Sequence, residues 1–208
     1  MADSILIAYL SKLTDPILFQ KYKQLLASQG ITLFVPRTSS TTCDIAVYPP
    51  PGTPLFEALT QQMKVVAKKI LFASNIEEAI YNIVELVSGG CPSYTIGIDV
   101  GVLCAYAASC RGIIFDYNKI ECRKIGQHMK EKWRNKSLTI YIGGSAPSKR
   151  IRETISSLRT AGYTNYTIVK EEGTTGKLPL RYSEIPIRDE DILSAISIIY
   201  RHIARRSW

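Results

Sequence analysis

Tyr94-Thr-Ile-Gly-Ile-Asp99-Val-Gly101 reads as a β-strand that ends in a carboxylate and a glycine turn. Ile96 and Ile98 alternate with small or polar neighbours, the period-two pattern of a strand with one apolar face. Sheet geometry would then hold Asp99 in place at the strand end. Gly101 is expected to let the backbone turn tightly and a ligand come close. A carboxylate so held is placed for a metal ion or a phosphate. It is equally placed to cap a strand-to-turn junction, and Ile98-Asp99-Val100-Gly101 alone does not separate the two.

Downstream, the pattern predicts strands at Leu103–Ala108 and Ile113–Tyr117, with turns at Ser109–Gly112 and at Asn118-Lys119. A basic helix over about 125–133 precedes the apolar strand Leu138–Ile142. Gly143-Gly144-Ser145 opens a helix over about 148–161, with Ser145 or Ser148 as N-cap. A strand at Tyr166–Lys170, an acidic turn Glu171–Thr175 and a final helix over about 189–205 complete the order β-β-β-α-β-α-β-α. Upstream, short apolar strands at Ile5–Leu10, Ile31–Val35, Asp44–Tyr48 and Lys69–Ala73 alternate with helices over 16–28, 54–67 and 76–87.

The expected fold class is therefore α/β, with a small Rossmann-like domain at 1–88, a linker at 89–93 containing Gly89, Gly90 and Pro92, and a mixed-sheet domain at 94–208. The loop Arg37–Cys43 and the proline turn after Tyr48 follow predicted strands, where open α/β sheets take ligands. No glycine-rich nucleotide loop occurs there, so a docking or substrate-positioning role is expected.

The chain carries 26 basic and 18 acidic residues, a net charge of +8. Residues 1–90 hold 7 of each, so the remaining 19 basic and 11 acidic residues put the whole excess in the second half. Such a bias suits a polyanionic partner, most often nucleic acid, although a basic surface also serves solubility. No apolar run is long enough to cross a membrane, and the first residues read as a strand and not as a leader, so a cytoplasmic protein without a membrane partner is expected. Five cysteines, an odd number without Cys-x-x-Cys spacing, indicate neither a disulfide framework nor a zinc site. Cys104 reads as a small buried hydrophobe, and His128 and His202 as residues of solvated helix faces.

The second half resembles the ribonuclease H-like superfamily, in particular its crossover-junction resolvase (RuvC/YqgF-like) branch, on residues 94–208. Gly97-Ile98-Asp99-Val100-Gly101 is similar to that branch's first-strand motif, Glu171-Glu172-Gly173-Thr174-Thr175 to its fourth-strand acidic motif, and Asp191 with the small residues after it to its C-terminal helix. The resemblance implies catalytic Asp99, Glu172 and Asp191, with Asp189 as a further metal ligand, on Mg²⁺ or Mn²⁺. Two such ions, about 4 Å apart, activate a water and stabilise the leaving oxygen in phosphodiester hydrolysis, and hard ions require several converging carboxylates. Glu172 is preferred to Glu171 because adjacent strand residues face opposite sides; Asp189 also suits a helix N-cap. Asp116 follows an apolar run and stays outside this set.

The implied activity is a metal-dependent nuclease or resolvase on structured or branched nucleic acid, DNA rather than RNA, with a homodimer expected where both strands of a junction are cut. Arg111, Lys130, Arg134, Lys149, Arg150 and Arg152 are the expected phosphate contacts, with Trp133, Tyr163 and Tyr166 as stacking surfaces. The apolar Val102-Leu103-Cys104 departs from the polar or basic residues common in that branch after the glycine. It favours an alternative, a non-catalytic nucleic-acid-binding or assembly protein that keeps the fold.

Overall fold

Two sheets organise the chain. The computed structural model describes residues 4–11, 15–144, 149–169 and 187–204, which divide between Gly89 and Gly90 into two compact units. Both are α/β: the first has an all-parallel sheet, the second a mixed one.

The first unit runs β1 (Ile5–Tyr9), α1 (Pro16–Ala27), β2 (Ile31–Phe34), β3 (Ser40–Tyr48), α2 (Pro54–Gln62), β4 (Lys64–Phe72) and α3 (Ile76–Val87), with strand order β2-β1-β3-β4. Local chemistry sets the helix starts. The Asp15 carboxylate accepts from the Leu18 amide at 2.9 Å ahead of Pro16, and Asn75 accepts from Glu78 N at 2.9 Å. α1 buries Phe19, Tyr22, Leu25 and Leu26, and α3 buries Ile76, Ala79, Ile80, Ile83 and Val84. On the other side α2 packs through Phe56 against Tyr48 and Phe72.

Two boundaries differ from expectation here. The expected helix over 54–67 stops at Gln62, and Lys64–Ala67 instead begin β4, where Val65 and Val66 pair with Thr41 and Thr42. Ladder pairing of β-branched residues outweighs a helical pattern that was formal only. The same pairing draws Ser40–Cys43 into β3, so most of the expected docking loop is strand.

The second unit runs β5 (Tyr94–Val100), β6 (Cys104–Cys110), β7 (Ile113–Ile120), a single 3₁₀ turn (Cys122–Lys124), α4 (Ile125–Lys132), β8 (Leu138–Gly143), α5 (Lys149–Thr160), β9 (Tyr166–Val169) and α6 (Glu190–Ala204). Its sheet has the order β7-β6-β5-β8-β9. β6 is antiparallel to β5 and β7, while β8 is parallel to β5 and β9 parallel to β8. β5 is thus central, and the end of β5 that carries Asp99 is also the end at which β7 and β8 finish.

α6 covers one face of this sheet and α4 with α5 the other. Ile192, Ala195, Ile196, Ile198 and Ile199 are all buried on α6. A Cβ on Gly97 would collide with the Ala195 carbonyl oxygen and lie 2.9 Å from Ile199 Cγ1, so glycine is what lets α6 rest on β5. On the opposite face Tyr106 meets His128 of α4, and Cys104 lies 3.1 Å from Thr154 of α5. Gly126 abuts the Ser157 backbone, so a larger residue there would separate α4 from α5.

The cysteine expectation is overturned. Disulfides join Cys91 to Cys110 and Cys104 to Cys122, and Cys43 alone is free and buried. Cys104 and Cys110 are the first and last residues of β6, so one bond fastens that strand to the expected linker and the other to the 3₁₀ turn. Pairing followed strand register, which spacing along the chain does not reveal. Trp133 is also displaced from its expected role: it is 2% exposed and packs against Tyr94, Tyr106 and Phe115.

Candidate active site

β5 delivers Asp99, half-buried, to the C-terminal end of the sheet. Its register partners are Ala105 on β6 and Gly143 on β8, and Ala105 pairs in turn with Lys119 on β7. Directly opposed residues share a face, so Lys119, Ala105, Asp99 and Gly143 form one row on the face that α6 covers. The row is small between its two charged members. At about 4.8 Å per strand, the Lys119 and Asp99 backbones are about 10 Å apart.

Lys119 is the residue the sequence pattern did not find. Asn118-Lys119 reads as a turn, yet β7 continues to Ile120. The Lys119 ammonium donates to Asp189 Oδ2 at 2.8 Å and to Asp191 Oδ2 at 2.6 Å. Asp189 also caps α6, its Oδ1 accepting from the amides of Asp191 (3.1 Å) and Ile192 (3.3 Å). Of the two expected roles for Asp189, the cap is therefore filled, and its second oxygen is taken by the lysine. The hydrogen bond from Lys119 is the main reason the Asp189 carboxyl titrates below the usual carboxylate range, and the same pairs raise Lys119 above the ordinary lysine value. The signal that could have found Lys119 is its period-two spacing from Tyr117, which a strand running two residues further would have used.

Because α6 starts beside the Lys119 row and crosses Gly97 at Ala195, its first turn lies at the Asp99 end of β5. Asp99 and Asp191 therefore share both the face and the end of the sheet. Glu172 lies outside the described residues, as do Glu171, Ser145 and Ser148. Among the described residues, no three His, Cys, Asp or Glu side chains converge as a metal-ion group. Asp99 and Asp191 are hard oxygen donors, which fits Mg²⁺ or Mn²⁺ in kind; in number they need further ligands.

The expected phosphate contacts separate into two sets. Lys149, Arg150 and Arg152 are exposed at the start of α5, which follows β8 and so sits at the Asp99 end. Arg123 and Lys124, in the turn after β7, join them there. Arg111 lies in the β6–β7 turn with φ 47°, and Arg134 just before β8, both at the far end; Lys130 is on the last turn of α4. The structure thus does not bring Arg111 and Arg134 to the carboxylates.

A second polar group lies on the α4 face. Asp116, fully buried, accepts from Tyr106 Oη at 3.0 Å and from Lys132 Nζ at 3.0 Å. The single Tyr106 hydroxyl proton is thereby committed, so Tyr106 accepts from His128 Nε2–H at 2.9 Å. His128 is part of this network and not of a solvated face. His202 likewise donates from Nδ1 to the Ile198 carbonyl (2.9 Å) and stacks on Tyr141. In both cases an aromatic residue from a strand captured the imidazole.

Compared with protein-family models and with curated proteins, the chain matches none. No helix among the described residues is long and apolar enough to cross a membrane.

Proposed function

We propose that the second unit is a ribonuclease H-like, metal-dependent nuclease of the resolvase type, hydrolysing phosphodiester bonds in structured or branched nucleic acid, with DNA preferred to RNA. The observation that carries this reading is the meeting of the first turn of α6 with the Asp99 end of β5 on one face of the sheet. The strand order, with β5 central, flanked by antiparallel β6 and parallel β8, supports it, as does the basic cluster of Arg123, Lys149, Arg150 and Arg152 at that end. Asp99 and Asp191, with Glu172, would hold Mg²⁺ or Mn²⁺, and the bound ions would lower the pKa of a water and neutralise charge on the leaving oxygen. The chain's own part is to fix the carboxylates on β5 and α6 and to hold phosphates with the α5 arginines. A homodimer acting in the cytoplasm belongs to the same proposal.

The test is cleavage of labelled junction, flap and hybrid substrates with Mg²⁺ or Mn²⁺. Cleavage by the native chain and its loss in Asp99→Asn are expected; no cleavage, or cleavage indifferent to Asp99→Asn, refutes the catalytic reading.

A non-catalytic nucleic-acid-binding or assembly protein is the second reading, and Lys119 favours it. An ammonium bonded to both Asp189 and Asp191 supplies internally the positive charge that a metal ion would bring. This reading expects salt-sensitive binding that neither divalent ions nor Asp99→Asn weaken.

A further inference from the structure

The β5–β6 hairpin ends in two apolar residues that the proposed chemistry does not use. Val102 is 79% exposed and Leu103 39% exposed, at the tip of a tight turn closed by the bond from Gly101 N to Leu103 O (3.1 Å). They follow Asp99 by three and four residues, so the tip projects from the carboxylate end of the sheet. The tip is also braced: Cys104, the next residue, is disulfide-bonded to Cys122 in the 3₁₀ turn.

The surroundings of this tip are basic. Val102 shares a shallow cavity of about 240 Å³ with Glu121, Cys122, Arg123, Arg150 and Glu153. Glu121 is engaged by Arg123 at 2.8 Å and Lys124 at 2.9 Å, and Glu153 lies 4.0 Å from Lys149. Arg150 makes no ion pair among the described residues and is an exposed residue. Two carboxylates, Glu121 and Glu153, thus stand among four cations, Arg123, Lys124, Lys149 and Arg150, and an apolar projection beside that excess of positive charge suits a ligand that is anionic outside and apolar within. An intact duplex keeps its base faces stacked, and a wedge must first unstack them at a cost of about a few kcal/mol per step, whereas separated strands already expose base faces.

We propose that Val102 and Leu103 form a rigid wedge that contacts unstacked bases where nucleic-acid strands separate, while Arg150 and Arg123 hold the adjoining phosphates. The inference rests on the nucleic-acid reading above and narrows its ligand to forked or branched ends. Because the wedge lies beside Asp99, it would deliver the backbone next to the separation point to the carboxylates.

The test is fluorescence anisotropy of the full chain in EDTA, which removes any cleavage, with a blunt duplex and a forked duplex of equal nucleotide number. Stacking on one or two bases predicts that the native chain binds the fork about fivefold or more tightly than the blunt duplex. Val102→Ser/Leu103→Ser is expected to abolish that preference and leave blunt-duplex affinity within about twofold, since both side chains are exposed. Arg150→Ala is expected to weaken both ligands and reduce the logarithmic salt slope by about 0.9. Binding without fork preference, or preference retained in the double variant, overturns the wedge alone. Binding to neither DNA overturns the nucleic-acid reading together with it.

Discussion

Replacing Gly97 with alanine tests whether α6 rests on β5 as described, the packing that sets where Asp191 stands relative to Asp99. The added methyl has no room: its carbon would collide with the Ala195 carbonyl oxygen, and Ile199 Cγ1 lies 2.9 Å away. The first of these neighbours is backbone, so rotamer adjustment cannot relieve it, and α6 must move off β5 by about 1 Å to restore ordinary contact. Overpacking of this kind costs about 1–3 kcal/mol. In a unit of about 115 residues, each kcal/mol lowers the melting temperature by about 4 °C, so a fall of about 4–12 °C is expected by calorimetry or circular dichroism. Gly101→Ala is the control. Its Cβ would stand 3.4 Å from Leu103 O, and its φ is not positive, so stability within about 0.5 kcal/mol of the native chain is expected. The same displacement moves Asp191 relative to Asp99, and a misplacement of about 1 Å costs about 100-fold in rate where two groups act together. A Gly97→Ala protein that melts with the native chain would refute the packing of α6 on β5, and with it the placement of Asp191 on the face and at the end of the sheet that carry Asp99.

Reducing the disulfides is a second perturbation. Cys91–Cys110 and Cys104–Cys122 close loops of separation 19 and 18, each worth about 3 kcal/mol by loop entropy. Since the loops overlap, Cys104→Ala/Cys122→Ala should lose that amount in denaturant, and the further loss on adding dithiothreitol should be smaller; an unchanged midpoint in the variant contradicts the pairing. Lys132→Met leaves Asp116 buried without its cation and should cost about 3 kcal/mol or more, read as a shift of the urea midpoint; an unshifted midpoint would show that Asp116 is held otherwise. Lys119→Met should lower the melting temperature, because Asp189 and Asp191 lose their shared donor. If the metal reading holds, the same change should tighten Mn²⁺ binding, followed by electron paramagnetic resonance; weaker Mn²⁺ binding would contradict competition by the lysine. The Asp189 carboxyl is depressed in the folded chain by Lys119, so its contribution is present above the unfolded carboxylate value and vanishes as pH falls through the lower folded value. The acid limb of the stability profile should therefore flatten in Lys119→Met, and an identical limb would remove the pair from the acid transition.

Much of the fold could be read from local pattern because the signals were redundant. α1 has a cap, a proline at its first position and an apolar face that agree, and β5 has clean alternation with a turn behind it. The failures arose where tertiary pairing decided. Val65-Val66 could join a helix or a ladder until β3 stood beside them, and Lys119 could be a turn residue or a strand residue until Ala105 supplied a partner. Disulfide partners were invisible for the same reason, since register brings Cys104 and Cys122 together although they stand 18 positions apart in the chain. At the site, Asp99 and Asp191 were legible as residue types at the ends of elements. That Asp189 spends one oxygen on a cap and the other on Lys119 was not, because a cap and a metal ligand require the same carboxylate in the same place.

Lys119 also links the two functional readings in one physical question. An ammonium held by two carboxylates is a compact cation of charge one, and Mg²⁺ or Mn²⁺ would bring charge two to the same oxygens. The ion must therefore displace the lysine from Asp191 or share that carboxylate with it. Displacement is open to Lys119 because its side chain is 31% exposed and flexible, whereas Asp189 stays committed to the α6 cap through Oδ1. Asp191 is consequently the carboxylate that distinguishes the readings. In a nuclease, Asp191→Asn should abolish cleavage with little loss of stability, since Lys119 keeps Asp189. In a binding protein, the same substitution should leave nucleic-acid affinity unchanged or raised through reduced repulsion. Parallel cleavage and anisotropy measurements on Asp191→Asn separate the two, and cleavage at the native rate would remove Asp191 from the chemistry altogether.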